Sequence, residues 1–484
     1  MGIVLRQSFA NTIITYIGFG VGAVNILFLY TKILPAQYFG LVTLILATGA
    51  ILMPLMAFGV HNTMVKYFNA HRNGEKDGFL SLMMLAPLLT IVPLAVLTLF
   101  FYEPIAGLLG AKNPIVKDYI WYIFLVGLAM AYFEVFYAYS KVHLKSVFGN
   151  FMKEVFVRLG VTILLVCFSL EWIDLGFFLK ALVALYLLRT VVMKIYAYTL
   201  YLPKLSFHFP KETKEILTYS ILIILGGSAA LILLEIDKVM INQFIAIENV
   251  AYYSVAVFIA TVIIVPSRAM HQITYPLTSE LLGAQNHEGL KALYQKTSLT
   301  LFIASGLLFL LIVLNLNDLY LLVPEEYRGG FYIVFLIGLA KVMDSLLGNN
   351  NAILYNSKYY RTVLVFGVGL ALLTILLNWL LIPPMGIAGA ALASFTAIFI
   401  FNALKVWYVY SKFGMLPFTK GTLKVFLTLL LLAFLFSYLQ FPFHPVANIG
   451  LKSLLIGAMY GGILYRFDIS EDVTGFIKKF LGKK

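Results

Sequence analysis

Apolar runs of about twenty residues, separated by short polar breaks, repeat from one end of this chain to the other. A hydrocarbon core about 30 Å thick demands that length of α-helix. The pattern predicts fourteen spans, at roughly 9–30, 39–60, 80–101, 118–138, 151–170, 175–197, 216–236, 249–270, 292–314, 330–348, 360–382, 386–408, 421–439 and 446–465. The longest breaks, near 61–79, 198–215 and 409–420, are too short to hold a folded soluble domain. A transmembrane barrel is excluded, because its strands would be half as long and would alternate. Every backbone group must be satisfied without water, so the fold predicted is an all-α integral membrane bundle. The first run, Phe9 to Tyr30, lacks a small-residue cleavage site and reads as the first span rather than a signal peptide.

Composition agrees with the pattern. Hydrophobic types make up 61% of the 484 residues and charged types 12%, against about 45–50% and about 25% in soluble domains. Mean hydropathy is +0.93. A net charge of +13 would suggest nucleic acid on a soluble protein, but here its placement explains it. With a cytoplasmic N-terminus, 25 of the 35 Lys and Arg residues fall on the inner side and 5 on the outer, the rest lying in or near spans. Such a bias marks cytoplasmic loops, and it persists along the chain, so both termini are expected inside. The single cysteine, Cys167, sits in an apolar run and excludes a disulfide framework.

Charges also fall within or at the edges of the spans: Glu134, Lys153, Glu154, Arg158, Arg189, Lys194, Glu235, Asp237, Lys238, Arg268, Lys341, Asp344 and Lys405. Ionisable groups at bilayer depth face protein or a wet cavity. Lys194, Arg268 and Lys405 fit snorkelling to cytoplasmic headgroups. Glu154 and Arg158 stand i,i+4, and Lys341 and Asp344 stand i,i+3, so each couple has the spacing to pair on one helix face. Asp237 and Lys238 read as a polar pair near the outer end of the seventh span. Arg189 lies deep in the sixth with no sequence-near partner. Pro54, Pro87, Pro93 and Pro266 are expected to bend their helices. Gly18, Gly20 and Gly22, followed by Asn25, allow close helix contact and a cross-helix hydrogen bond.

Walker A, Rossmann, G-x-S-x-G, H-E-x-x-H and paired-cysteine motifs are missing. An internal repeat is legible: N-I-L-F-L-Y-T-K-I-L-P-A-Q-Y-F-G from Asn25 answers D-K-V-M-I-N-Q-F-I-A-I-E-N-V-A-Y from Asp237. With six spans in each half, the repeat is parallel, about an axis along the membrane normal.

These segments, with Y-T-K-I-L-P from Tyr30, then Tyr38, Phe39 and Gly40, the Asp237-Lys238 pair, the Ala251-Tyr252-Tyr253 entry and G-I-A-G-A-A-L-A-S from Gly386, carry a resemblance. The chain resembles the polysaccharide-flippase branch of the multidrug/oligosaccharidyl-lipid/polysaccharide exporter superfamily. The resemblance implies two six-helix lobes around a central cavity, 1–210 and 211–415, with two extra helices and a cytoplasmic tail over 416–484. It implies transport of an oligosaccharide repeat unit carried on an isoprenoid pyrophosphate across the cytoplasmic membrane, by alternating access and without cofactor, with a proton or sodium gradient as the energy source. Membrane lipids and polysaccharide-assembly proteins are the partners it suggests; nucleic acid is not one, and a monomer suffices. A cation-coupled multidrug exporter and a membrane glycan ligase or polymerase are the alternatives. Under the flippase reading, Arg158 and Arg189 bind the pyrophosphate, because a guanidinium grips phosphate bidentately and keeps its charge. Asn25 and Glu154 line the same cavity. Asp237, Lys238, Glu235, Lys341 and Asp344 serve as gate or coupling residues.

Overall fold

The computed structural model describes residues 2–71, 76–470 and 474–475. Arg72, Lys478, Lys479, Lys483 and Lys484, counted above on the inner side, lie outside these residues. The described chain is helical throughout, with no strand. The first half runs α1 (Gly2–Val24), α2 (Tyr30–Ile33), α3 (Ala36–Met56), α4 (Val60–Tyr67), α5 (Lys76–Leu85), α6 (Leu88–Phe100), α7 (Tyr102–Leu109), α8 (Ile120–Val142), α9 (Val147–Phe151), α10 (Val157–Ser169), α11 (Leu175–Leu200) and α12 (Thr213–Phe244). The second runs α13 (Glu248–Thr261), α14 (Val265–Gly283), α15 (His287–Leu321), α16 (Phe331–Leu346), α17 (Asn350–Tyr355), α18 (Tyr360–Phe413), α19 (Lys420–Ser437) and α20 (Pro445–Arg466). Among the described residues, ten helical runs are long and apolar enough to cross a membrane. The chain is therefore a multi-pass membrane protein.

Proline and glycine punctuate these helices where their chemistry requires. Pro54 and Pro93 lie inside α3 and α6. Pro87 and Pro266 stand at breaks in their spans: Pro87 caps the start of α6 just after α5 ends, and Pro266 sits in the first turn of α14 after the 3-10 turn Val262–Ile264, where its missing N–H has no bond to lose. Pro383 and Pro384 interrupt α18, and Gly386 just beyond them leaves helical geometry at φ 59°.

The chain forms two compact units. The first comprises Met1–Ala251 with Gly367–Gly386, the second Tyr252–Phe366 with Ile387–Lys484. In the first, Val60, Phe79, Ala131, Phe133 and Met193 are buried in a core where α3, α4, α8 and α11 meet. In the second, Phe302, Leu432 and Ile456 join α15, α19 and α20, and Tyr294, Leu354 and Val409 form a smaller cluster. Both units keep polar side chains inside and leave large apolar ones outside, Phe100, Trp407 and Leu454 among them. Ser220 and Asn242 are fully buried in the first unit, Ser298 and Asn349 in the second. Such groups hold helices together where lipid offers no hydrophobic drive: Thr63 meets Ser220 at 2.7 Å, and Asn349 Nδ2 donates to Thr278 Oγ1 at 2.7 Å.

The two units repeat one local design. In the first, α3 breaks at Phe58 and Gly59, both at positive φ, before α4. In the second, α13 tightens into the 3-10 turn Val262–Ile264 before α14. Next, α8 ends at Leu144 (φ 57°) before α9, and α16 ends at Gly348 (φ 53°) before α17.

The segment 201–212 after α11 is strapped onto α5. Tyr201 Oη donates to Asp77 Oδ1 at 2.8 Å, the Lys204 N–H donates to the same oxygen, and the Ser206 N–H donates to Ser81 Oγ. At Gly78 the His208 carbonyl approaches so closely that no side chain would fit.

Candidate functional site

The polar interior of the first unit is built around two π-helical turns, Asn25–Leu29 and Met152–Phe156. A π turn inserts a residue into a helix and recurs at functional sites. Here the two turns carry Asn25 and Glu154, both expected site residues. Asn25 does not present its amide to a cavity. It is buried, its Nδ2 donates to the Arg158 carbonyl at 2.8 Å, and its Oδ1 accepts from Thr162 at 2.7 Å. Both amide groups serve helix contact.

Arg158 folds back on its own helix. Its Nη1 donates to the Glu154 carbonyl and to Glu154 Oε2, both at 2.9 Å. The guanidinium lies across the glycine shelf of α1, where a Cβ at Gly18 would stand 2.8 Å from Arg158 Nη1 and one at Gly22 3.2 Å from Nε. That close approach accounts for two of the three glycines. One residue before Glu154, Lys153 Nζ donates to Glu134 Oε1 of α8 at 2.6 Å. Lys141 and His61 are the other charged or titratable groups acting on Glu134.

Arg189 differs from all of these. It is buried on α11, its guanidinium 4.1 Å from the Phe133 ring centre and 4.9 Å from that of Tyr186. Its Nε and Nη2 are buried and donate to nothing. Snorkelling is therefore not its role. Tyr186 joins it to the rest of the site: Arg189, Arg158 and Glu235 all act electrostatically on the Tyr186 hydroxyl. The structure thus brings the two predicted arginines around one tyrosine. Five cations, Lys141, Lys153, Arg158, Arg189 and Lys238, face three carboxylates, Glu134, Glu154 and Glu235. The excess is positive, and the free N–H groups of Arg189 are the part of it that no carboxylate occupies. Chemically, the arrangement suits an anion with several oxygens.

The expected gate is wired differently from its sequence reading. Lys238 pairs with Glu235, one turn back, at 2.6 Å. Asp237 is buried and accepts from Asn378 Nδ2 at 2.7 Å. Adjacent residues on a helix point about 100° apart, so Asp237 and Lys238 have separate partners. In the second unit, Asp344 meets Lys405 of α18 at 3.6 Å, while Lys341 lies one turn earlier on α16. Lys405 does not snorkel: it is buried, and its Nζ also donates to Asn351 Oδ1 at 3.2 Å. Sequence reasoning missed these cross-helix partners, and with them His61 and the aromatic seat of Arg189. The i,i+3 spacing of Tyr186 and Arg189 was the available signal.

Among the described residues, no cluster of His, Cys, Asp and Glu could hold a metal ion. Solved structures share the fold. The chain is similar to the lipid II flippase MurJ in an inward closed conformation, at 16% identity and a TM-score of 0.73, covering 95% of this chain and 99% of that one. It is similar to an inward-facing multidrug resistance MATE family transporter of the MOP superfamily, at 14% identity and a TM-score of 0.58, covering 86% and 95%. A MATE transporter in complex with MaL6 gives 13% identity and a TM-score of 0.55, covering 85% and 96%. No curated protein sequence matches the chain. The fold is thus one that these transporters share. The chain belongs to the polysaccharide biosynthesis protein family, whose model matches residues 4–282.

Proposed function

We propose that this protein is a flippase of the cytoplasmic membrane that moves an oligosaccharide repeat unit, carried on an isoprenoid pyrophosphate, by alternating access. The observation that carries the reading is Arg189: a buried guanidinium on an aromatic seat, with two N–H groups that donate to nothing. Glu134 acts on Arg189 without bonding it, and burying a cation with no carboxylate bound to it is costly; a polyoxygen anion would offset that cost. In this reading Arg189 and Arg158 hold the pyrophosphate, and Glu154 occupies Arg158 when the lipid is absent. The chain crosses the membrane fourteen times, with both termini cytoplasmic, two six-helix lobes and two further helices. Glu235, Asp237, Lys238, Lys341 and Asp344 act in gating or coupling to a proton or sodium gradient. A cation-coupled drug exporter fits less well, because the uncompensated charge in the first unit is positive.

The test is reconstitution. The purified chain in vesicles is expected to expose a fluorescent isoprenoid-pyrophosphate oligosaccharide to an impermeant glycosidase on the opposite side. Vesicles in which the lipid stays protected would overturn the proposal. In cells, deletion is expected to leave the lipid-linked repeat unit on the cytoplasmic leaflet.

A further inference from the structure

Each unit contains the same three-part constellation, whose histidines the anion site does not use, although Glu134 and Lys153 of the first copy stand in its charged cluster. In the first unit the carboxylate is Glu134 on α8, the lysine is Lys153 in the π turn before α10, and the histidine is His61 on α4, just beyond the break in α3. In the second unit the carboxylate is Asp344 on α16, the lysine is Lys405 on α18, and the histidine is His271 on α14, about two turns beyond the 3-10 break after α13. The order along the chain is the same in both: a histidine past the first break, a carboxylate toward the end of a later helix, and a lysine on a helix after that. Of these six residues, only Asp344 was among the gate or coupling residues expected from the sequence.

The two histidines share a further trait. In each, Nδ1 is buried and makes no hydrogen bond. Nε2 of His61 lies 3.3 Å from Asn62 Nδ2, and the His271 ring stands edge-on to Tyr275 at 5.6 Å. An imidazole with an unpartnered ring nitrogen, within electrostatic reach of a carboxylate already held by an ammonium, has one proton to gain and a place to spend its charge. Protonated, it competes with the lysine for the carboxylate.

The surroundings are bounded. Glu134 and Lys141 of α8 and Lys153 are the charges that act on His61. The helix α12, also packed on α4, meets it through Ser220 at Thr63 and Glu215 at Tyr67. Asp344 of α16 and Lys405 of α18 are the charges that act on His271. Of the other helices against α14, α15 carries His287, Glu288, Lys291, Lys296 and Asp318, and α17 contributes Tyr355 near Tyr275, while Arg268 and Glu280 lie on α14 itself. Each histidine thus has one carboxylate to draw a proton and at least one lysine to oppose it.

We infer that the protein binds coupling protons at two equivalent sites, one in each unit, with His61–Glu134–Lys153 and His271–Asp344–Lys405 as the proton-binding groups. At each site the proton adds to the neutral imidazole, the carboxylate turns from ammonium to imidazolium, and release restores the original pair. His61 directly follows the break in its helix, and His271 lies on the helix that follows the corresponding 3-10 break. The inference deepens the proposed function by naming its coupling ligand, and it rests on that reading for the transport step alone.

Two measurements separate the two ideas. The first uses the full chain in detergent without substrate. Histidine 15N resonances are followed from pH 5 to 8, those of His61 and His271 being assigned by their loss in H61Q and H271Q. Glu134→Gln is expected to weaken proton binding at His61 about tenfold and leave His271 unchanged, and Asp344→Asn to do the reverse. Two imidazoles that ignore their carboxylates, or that take no proton in this range, would overturn the inference whatever the protein transports. The second measures translocation of the lipid-linked oligosaccharide in vesicles with and without a pH gradient. The acceleration by the gradient is expected to halve in H61Q and in H271Q and to vanish in the double variant. Acceleration that survives in the double variant also overturns it. If the wild type moves no lipid while the resonances behave as stated, the proposed function fails and the proton sites stand.

Discussion

The ion pairs of the two units are built the opposite way round. In the first, the Glu134 side chain is 11% exposed and Lys153 is 43% exposed. In the second, Lys405 is 2% exposed and Asp344 is 35% exposed. Each unit sinks one partner among packed helices and leaves the other accessible, but the sunken charge is negative in one and positive in the other. The accessible member is a cation in the first unit and a carboxylate in the second. A sunken charge depends on its partner for nearly all its stabilisation, whereas an accessible one keeps water. The difference teaches which half of each pair is replaceable.

The largest effect should come from stranding Lys405. Asp344→Ala leaves a buried ammonium without its carboxylate and is expected to destabilise the protein by about 3 kcal/mol, seen as a fall in the melting temperature in detergent. Lys405→Ala strands a carboxylate that water can reach, so it should cost clearly less. The same logic reversed applies to the first unit: Lys153→Ala strands Glu134 and should cost about 2 kcal/mol, more than Glu134→Ala. Equal losses from both members of either pair would break the comparison.

Arg189 sharpens it from another side, as a buried charge with no carboxylate bound to it. Arg189→Met removes a cost rather than a partner. It should raise the stability of the substrate-free protein by about 1 kcal/mol, while translocation of the lipid-linked oligosaccharide falls at least about tenfold. Arg189→Lys should restore little, because one ammonium cannot replace a planar fork. A destabilised Arg189→Met would mean that the guanidinium already has the partner it needs. The smallest effect belongs to Glu154→Gln. This pair lies on one helix and both members are partly exposed, so its loss should change stability by at most about 0.5 kcal/mol. Freed of its carboxylate, Arg158 should bind pyrophosphate about twofold more tightly, as titration calorimetry would show.

What could be read in the sequence follows from distance along the chain. The helices were legible because twenty apolar residues in a row have one outcome in lipid. Glu154–Arg158 was legible because one helical turn brings i and i+4 together. Glu134–Lys153 and Asp344–Lys405 join different helices, and no periodicity states which faces meet. Lys405 resembled a snorkelling lysine because its position along the helix was visible and its direction was not. Asp237 accepts from Asn378 and Lys238 donates to Glu235, partners that the adjacency of the two residues in sequence does not announce. Arg189 was singled out because it lacked a neighbour, and the structure shows why that mattered: its companions are Phe133 and Tyr186, which carry no charge to announce them.

The strap at 201–212 bears on how the chain tolerates interruption. A loop that joins membrane helices is the usual choice for an epitope tag or a cleavage site. Here the Tyr201 hydroxyl and the Lys204 backbone N–H donate to Asp77, the Ser206 N–H donates to Ser81, and the His208 carbonyl is seated against Gly78. An insertion between Tyr201 and His208 would have to unpick those bonds before it could leave the surface, and a protease would find no free strand to grip. The turn at Gly414, in left-handed geometry with open space around it, offers the better place to cut, tag or rejoin this polypeptide.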